Sequence, residues 1–389
     1  MNFPLTSAAE HWDFDPEILY LNHGAFGASP RVVEAARAKV QRRLESQPMR
    51  FLVREMGPAL ADTRARLGQF VGAAGDDLVL VPNSTYAMNI VANGFPLSAG
   101  DEVLLNNHEY GAVNNIWQRA TKRAAAKVVQ QDLPVPFTTV AAFVDQLFAG
   151  VTERTKLIVV SHITSPTAVI FPVAEVCRRA REREIPVCVD GPHAIATLPL
   201  DIDSLQCDFY TASCHKWLCA PFGSGFLHVR RDRRSCIAPP IQSWGNPFPG
   251  SEPSWRDEYE WFGTHDPSAM VAIAAAIEFM ESYGLQKFRE ETHATARYAR
   301  QQITALTGLP PLTPDDSSWY GSMVAVPLQP GDCEDLQRRL LENHKLEVPI
   351  VDFHGSRLIR VSCPAYIGRE AIDLVVEALR QELAAEANA

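Results

Sequence analysis

The chain has 389 residues, more than one hydrophobic core usually organises, and at roughly 150 residues per lobe it is expected to fold as two or three. Its 46% hydrophobic and 21% charged residues exclude the disordered and fibrous classes. With 36 basic against 46 acidic residues the formal charge is −10, the wrong sign for a protein that holds a phosphate backbone, so no nucleic-acid partner is expected.

The stretch from Met1 to Asp15 has neither a basic start nor a 7- to 15-residue apolar run. No run approaches about 18 apolar residues. A cytoplasmic protein without membrane contact is therefore expected. The eight cysteines form no Cys-x-x-Cys pair, so no zinc site is expected and they read as reduced thiols.

Ser29-Pro30 followed by Val32, Val33, Ala36, Val40 and Leu44 predicts a helix over 30–46, with the proline at its first position. Short apolar runs then alternate with helical patterns. Strands are predicted at Leu78-Val81, Glu102-Leu105, Leu157-Val160, Pro186-Val189, Asp208-Thr211 and Gly225-Val229; helices are predicted near 85–94, 111–126, 138–149 and 172–183. Such a series indicates an α/β fold with a mostly parallel sheet covered on both faces, and ligands bind at the carboxyl ends of such strands. From Gln242 to Trp261 the texture changes to Pro, Gly and Trp, followed by a long apolar helix over Ser268–Tyr283, where a smaller α+β lobe is expected to begin.

The most informative block runs from Pro186 to Val229. One strand ends in Asp190, His193 follows, and a second strand leads to Ser213-Cys214-His215-Lys216. A lone lysine after a strand is usually a solvated end. Here an acid ends a strand 26 residues earlier (216 − 190), and a Ser/His pair precedes the lysine. That set suits pyridoxal 5'-phosphate: an amine for the imine, a carboxylate for the pyridine nitrogen, and small polar groups for the phosphate.

The stretches Val189-Asp190-Gly191-Pro192-His193-Ala194 and Asp208-Phe209-Tyr210-Thr211-Ala212-Ser213-Cys214-His215-Lys216-Trp217 resemble the cofactor site of class V aminotransferase-fold enzymes. Tyr20 to Gly27, Arg50-Phe51 through Glu55, His108-Glu109-Tyr110-Gly111-Ala112 and Ser161 to Ala168 resemble, more narrowly, the isopenicillin N epimerase-like branch. The resemblance runs from about 18 to 380. It implies a fold-type I architecture with a large cofactor domain over 20–265 and a small domain over 266–389, on which residues 1–19 pack.

The resemblance makes Lys216 the Schiff-base lysine and Asp190 the partner of the pyridine nitrogen. His193 stands where many relatives have glutamine, near the 3-hydroxyl. Ser213 and His215 are expected at the phosphate. Ser84 and Thr85 open a helix after Asn83, either as an ordinary N-cap or as part of an anion cradle. Tyr110 occupies the segment that stacks on the pyridine, with His108 as competitor, and either could simply cap a strand end. Gly263-Thr264 resembles the family's Gly-Thr, whose hydroxyl reaches the neighbouring subunit's phosphate and implies a homodimer with shared sites. Arg360, in Leu358-Ile359-Arg360-Val361-Ser362, is expected to hold the α-carboxylate of an amino-acid substrate rather than form a surface ion pair. Asn22 and His23 are expected at the entrance, although a loop histidine bonded to backbone is equally open.

Cysteine desulfurases need a loop thiol roughly fifteen residues before that arginine, where this chain reads Glu342-Asn343-His344-Lys345-Leu346-Glu347. Persulfide formation is therefore disfavoured. The resemblance implies reaction at an amino acid's α-carbon: epimerisation in the first place, with transamination or C–S lysis as alternatives and a non-catalytic scaffold as a remote one. A second base for epimerisation would be Tyr110, His108 or His23.

Overall fold

The computed structural model describes residues 3–245 and 254–388, so part of the stretch from Gln242 to Trp261 lies outside the described residues. Seven strands lie side by side in the order Leu78–Val81, Gly225–Val229, Phe209–Ser213, Val187–Asp190, Thr155–Ser161, Glu102–Asn106, Lys127–Gln131. Gly225–Val229 is antiparallel to both neighbours; every other adjacent pair is parallel.

The apolar runs become strands because both faces are covered, so alternate residues feed two separate cores. Leu78 and Leu80, like Ile158 and Val160, point into one. Val79 and Val81, like Leu157 and Val159, point into the other. A period-2 backbone buried on both sides needs apolar residues at every position. The edge strand Lys127–Gln131 is half-exposed and carries Lys127, Gln130 and Gln131, which discourages further pairing.

The helices stand close to their expected places: Arg31–Ser46, Ser84–Gly94, Gly111–Arg123, Val140–Phe148 and Val173–Arg181. Pro30 sits one residue earlier than expected, as N-cap with ψ 152°, and not inside the helix. The expected helix from Ser268 to Tyr283 is two, Ser268–Val271 and Ile273–Tyr283, because ψ relaxes to −7° at Ala272 and loosens one turn. No single described helix is long and apolar enough to cross a membrane. The bent pair Ser268–Tyr283 and Leu285–Thr307 passes on length and composition together, but Ile273, Ala276, Ile277 and Met280 are buried in the protein core.

Beyond residue 284, the antiparallel sheet Ile350–Phe353, Ser356–Ser362, Met323–Pro327 packs with the helices Leu285–Thr307, Cys333–His344 and Arg369–Ala387. The N-terminal segment joins it: Leu5 bridges Ile367, Thr6 N–H donates to Tyr366 O at 3.1 Å, and Leu19–Tyr20 pairs with Leu346–Glu347. On Ser356–Ser362, Arg360 and Ser362 share a face. Ser362 Oγ accepts the N–H of Gly24 at 3.0 Å, so that face meets the loop after Tyr20.

Candidate active site

The parallel strands end at a cavity of about 320 Å³ whose lining includes Ser84, Thr85, Tyr110, Asp190, His193, Ser213, His215, Lys216 and Arg360. Residues spread over 276 positions of sequence (360 − 84) therefore meet at one sheet edge, as open α/β sheets arrange it.

Lys216 lies in the turn between Phe209–Ser213 and Gly225–Val229, and its backbone is held on three sides. Its carbonyl accepts from Cys219 N–H at 2.9 Å and lies 3.1 Å from His23 Nε2. A Cβ on Gly27 would stand 2.5 Å from that carbonyl oxygen, so only glycine lets the 22–28 loop close over the turn. The side chain ends 3.1 Å from His193 Nε2. Burial, with Arg360 nearby, lowers the amine's affinity for a proton; Asp190 opposes this. Asp190 ends its strand in register with Thr211, whose hydroxyl donates to Oδ1 at 2.7 Å. Burial raises the Asp190 carboxyl above its usual range, while Thr211 and Lys216 pull it down.

The helix Ser84–Gly94 opens beside Lys216. Its N-cap is Asn83, whose Oδ1 accepts from Tyr86 N–H at 2.9 Å, so neither Ser84 nor Thr85 is spent on capping. Ser213 Oγ accepts from Ser84 N–H at 2.9 Å and donates to Ser84 Oγ at 3.1 Å. His215 Nδ1 is buried without a partner, and burial lowers that imidazole to about 4, so it stays neutral. A helix N-terminus, three hydroxyls and an unspent ring nitrogen make a site for a phosphate dianion.

Arg360 closes the opposite side. Nη1 donates to Ser165 O at 2.6 Å and Ser165 Oγ at 3.2 Å, and Nη2 donates to Asn22 Oδ1 at 3.2 Å. Its Nε is buried without a partner, and no described carboxylate lies within ion-pair distance. Burial pushes its pKa down to about 10. A buried guanidinium that meets only neutral acceptors keeps its charge unpaired and has the geometry to take a carboxylate.

Three expectations need correcting. His108 is buried outside the cavity, its Nδ1 2.8 Å from Thr167 Oγ1 and its Nε2 2.8 Å from Leu133 O, among Phe137, Phe171 and Phe353. Tyr110, half-exposed at the start of Gly111–Arg123, is the one that lines the cavity. His23 is buried beneath Lys216, its Nδ1 3.0 Å from Tyr366 Oη, and does not stand at an entrance. Asn22 serves by orienting Arg360, and lies outside the lining of this cavity. Thr264 is exposed and outside this chain's cavity, and its expected place is in a neighbouring subunit's site.

Sequence reading assigned no role to Ser165, Thr211, Trp217 or Glu109. The first two become visible only through register and loop closure. Trp217 Nε1 reaches His193 Nδ1 at 3.4 Å, and Glu109 lies behind Ser161. Their one sequence signal was membership in the quoted motifs.

The site fits an aldehyde-bearing pyridine phosphate: an amine of lowered basicity, a carboxylate one strand away, and an anion cradle with the orphaned Nδ1 of His215. The family model "Aminotransferase class-V" matches residues 20–356. The chain is 34% identical to an isopenicillin N epimerase from Amycolatopsis lactamdurans over 96% of this chain and 98% of that one. It is 30% identical to a putative L-cysteine desulfhydrase from Oryza sativa subsp. japonica, over 92% and 78%. In backbone it superposes on the C-DES mutant with glycine covalently linked to its PLP cofactor with a TM-score of 0.81, at 20% identity and over 93% and 96% of the two chains. The chain belongs to the aminotransferase class-V family and is an enzyme of that pyridoxal-phosphate-dependent family.

Proposed function

We propose that the protein binds pyridoxal 5'-phosphate through Lys216 and, like the isopenicillin N epimerases it resembles, inverts the α-carbon of an amino-acid substrate. The observation that carries this reading is the pairing, in one cavity, of a buried amine of lowered basicity with a buried guanidinium that no described carboxylate partners. When bound, the cofactor supplies a ring that takes up the electron pair left as a proton leaves the α-carbon.

The chain's own residues do the rest. Arg360 holds the substrate carboxylate in a fork, with Asn22 and Ser165 fixing the guanidinium plane. Lys216, once released, removes the α-proton. Asp190 keeps the ring nitrogen protonated. Ser84, Thr85, Ser213 and His215 hold the phosphate. Of the three groups considered as second acid, Tyr110 alone lines the cavity, which supports it as the proton donor for inversion and as the ring over the cofactor. Thr264 would complete the site of a second subunit in a homodimer.

A second reading, β-elimination from cysteine, draws on the likeness to the rice desulfhydrase. Desulfuration through a persulfide draws no support, because no cysteine lines the cavity. Incubating the enzyme with candidate amino acids in deuterated water separates the reactions. Deuterium at the α-carbon with loss of chirality supports inversion. A keto acid, or pyruvate with ammonia, would replace it by transamination or elimination.

A further inference from the structure

Behind the cavity wall lies a carboxyl group that the proposed chemistry does not use. Glu109 is 5% exposed and receives three hydrogen bonds. Its Oε1 accepts Ser161 N–H at 2.9 Å and the amide of Asn106, and its Oε2 accepts the Ser161 hydroxyl at 2.6 Å. Ser161 lines the cavity and stands in register with Asp190 on the next strand. The chain therefore places two buried carboxyl groups on either side of one cavity serine.

We propose that Glu109 is a positioning residue for the reaction, a buried carboxyl that acts through Ser161 and through its charge on the proton shared by Asp190 and the ring nitrogen of the bound cofactor. The inference rests on the pyridoxal-phosphate reading. While Glu109 is ionised, the Ser161 proton is committed to Oε2, so Ser161 offers only lone pairs to the cavity. The same charge favours every proton held nearby, including the one on the ring nitrogen. Once Glu109 is protonated it can donate to Ser161, whose hydroxyl then turns its proton towards the cavity.

The titratable groups that face Glu109 are Asp190 and, on the same strand, Cys188, whose thiol both carboxylates help push up. Burial raises Glu109 to about 7, Asp190 adds to this, and the Ser161 and Asn106 donors oppose it. Its protonation therefore changes near neutral pH.

Glu109→Gln is the clean test. The amide oxygen keeps both donors on Oε1, while the amide nitrogen donates to Ser161 Oγ, so the shape survives and the charge is lost. The readout is the midpoint of the pH-dependent change in the bound cofactor's absorbance. With a negative charge removed, that midpoint is expected to fall by roughly half a unit to one unit. A midpoint within about 0.2 units of wild type, with cofactor bound, overturns the inference. A purely structural Glu109 would change the melting temperature and leave the midpoint in place. Should Glu109→Gln fail to fold, Ser161→Ala decides: it keeps Glu109 but removes one donor, and its midpoint is expected to fall by less. No movement there overturns the inference equally. Wild-type protein that shows no cofactor absorbance at all would instead refute the cofactor reading.

Discussion

Trp217 Nε1 donates to His193 Nδ1 at 3.4 Å, and that single contact fixes where the imidazole proton sits. A neutral imidazole whose Nδ1 accepts must carry its proton on Nε2, which is 3.1 Å from Lys216 Nζ. Where the amine is uncharged, the ring donates and the amine accepts; burial brings that state within reach by lowering Lys216 to about 8. Burial acts in the same direction on both groups, keeping His193 neutral and Lys216 less basic. An amine lowered to about 8 gives up its proton more readily than an ordinary lysine, which suits a nucleophile.

Removing the indole donor should make that loss of a proton harder. In Trp217→Phe the imidazole is free to place its proton on Nδ1 and turn a lone pair towards an ammonium. Lys216 is then expected to keep its proton to higher pH. The pH dependence of cofactor capture by the apoprotein reads this directly: its midpoint should move upward, and an unmoved midpoint would show that Trp217 only packs.

Arg360 makes a sharper demand on substrate binding. Arg360→Ala should leave the cofactor's absorbance intact while weakening the amino acid by roughly 2 to 4 kcal/mol, about 30- to 1,000-fold in KM. Arg360→Lys restores the charge without the planar fork and is expected to recover only part of the loss. Unchanged substrate affinity in Arg360→Ala would remove it from the carboxylate site.

The strands and most helices were legible because each obeys a local rule, such as the unbroken apolar run at Leu157-Ile158-Val159-Val160. The placement of Lys216, Asp190 and Arg360 at the cavity was legible through their motifs, since Asp190 ends a strand, Arg360 occupies one and Lys216 follows one in a tight turn. His23 and His108 were misplaced for one reason: their motifs fix the backbone path but leave the direction of the side chain to tertiary packing. His108 turns into a cluster of phenylalanines and His23 turns under Lys216. Glu109 was hidden because strand register, which sets Ser161 beside Asp190, has no signature in one-dimensional spacing.

The phosphate cradle gives a prediction that needs no substrate. His215 Nδ1 has no protein partner, so in His215→Ala the phosphate loses a donor, and within the chain the ring gives up its backbone bond with Ser224 and its contact with Phe222. The cost should be about 1 to 2 kcal/mol, a roughly 5- to 30-fold rise in cofactor Kd by equilibrium dialysis. An unchanged Kd would mean that the nitrogen faces away from the phosphate.

Acid stability of the apoprotein follows from the buried imidazoles. Burial holds His23, His108, His162 and His228 at about 4, well below the value of about 6.5 for a free side chain. Between about pH 6.5 and 4 the unfolded chain therefore binds protons that the folded chain refuses, so stability rises with pH across that window and is lost on acidification. Glu109 and Asp190 oppose this, because their raised carboxyl groups bind protons in the folded state first. His193 and His215 are lowered too, while Asp203 and Glu260 are raised, so six imidazoles stand against four carboxyl groups and leave a net loss. Melting of the apoprotein is expected at least about 5 °C lower near pH 5 than near pH 7.5. His162→Gln, which cannot be protonated, should narrow that gap, and a melting temperature that is flat or rises on acidification would show that these rings are not held neutral in the fold.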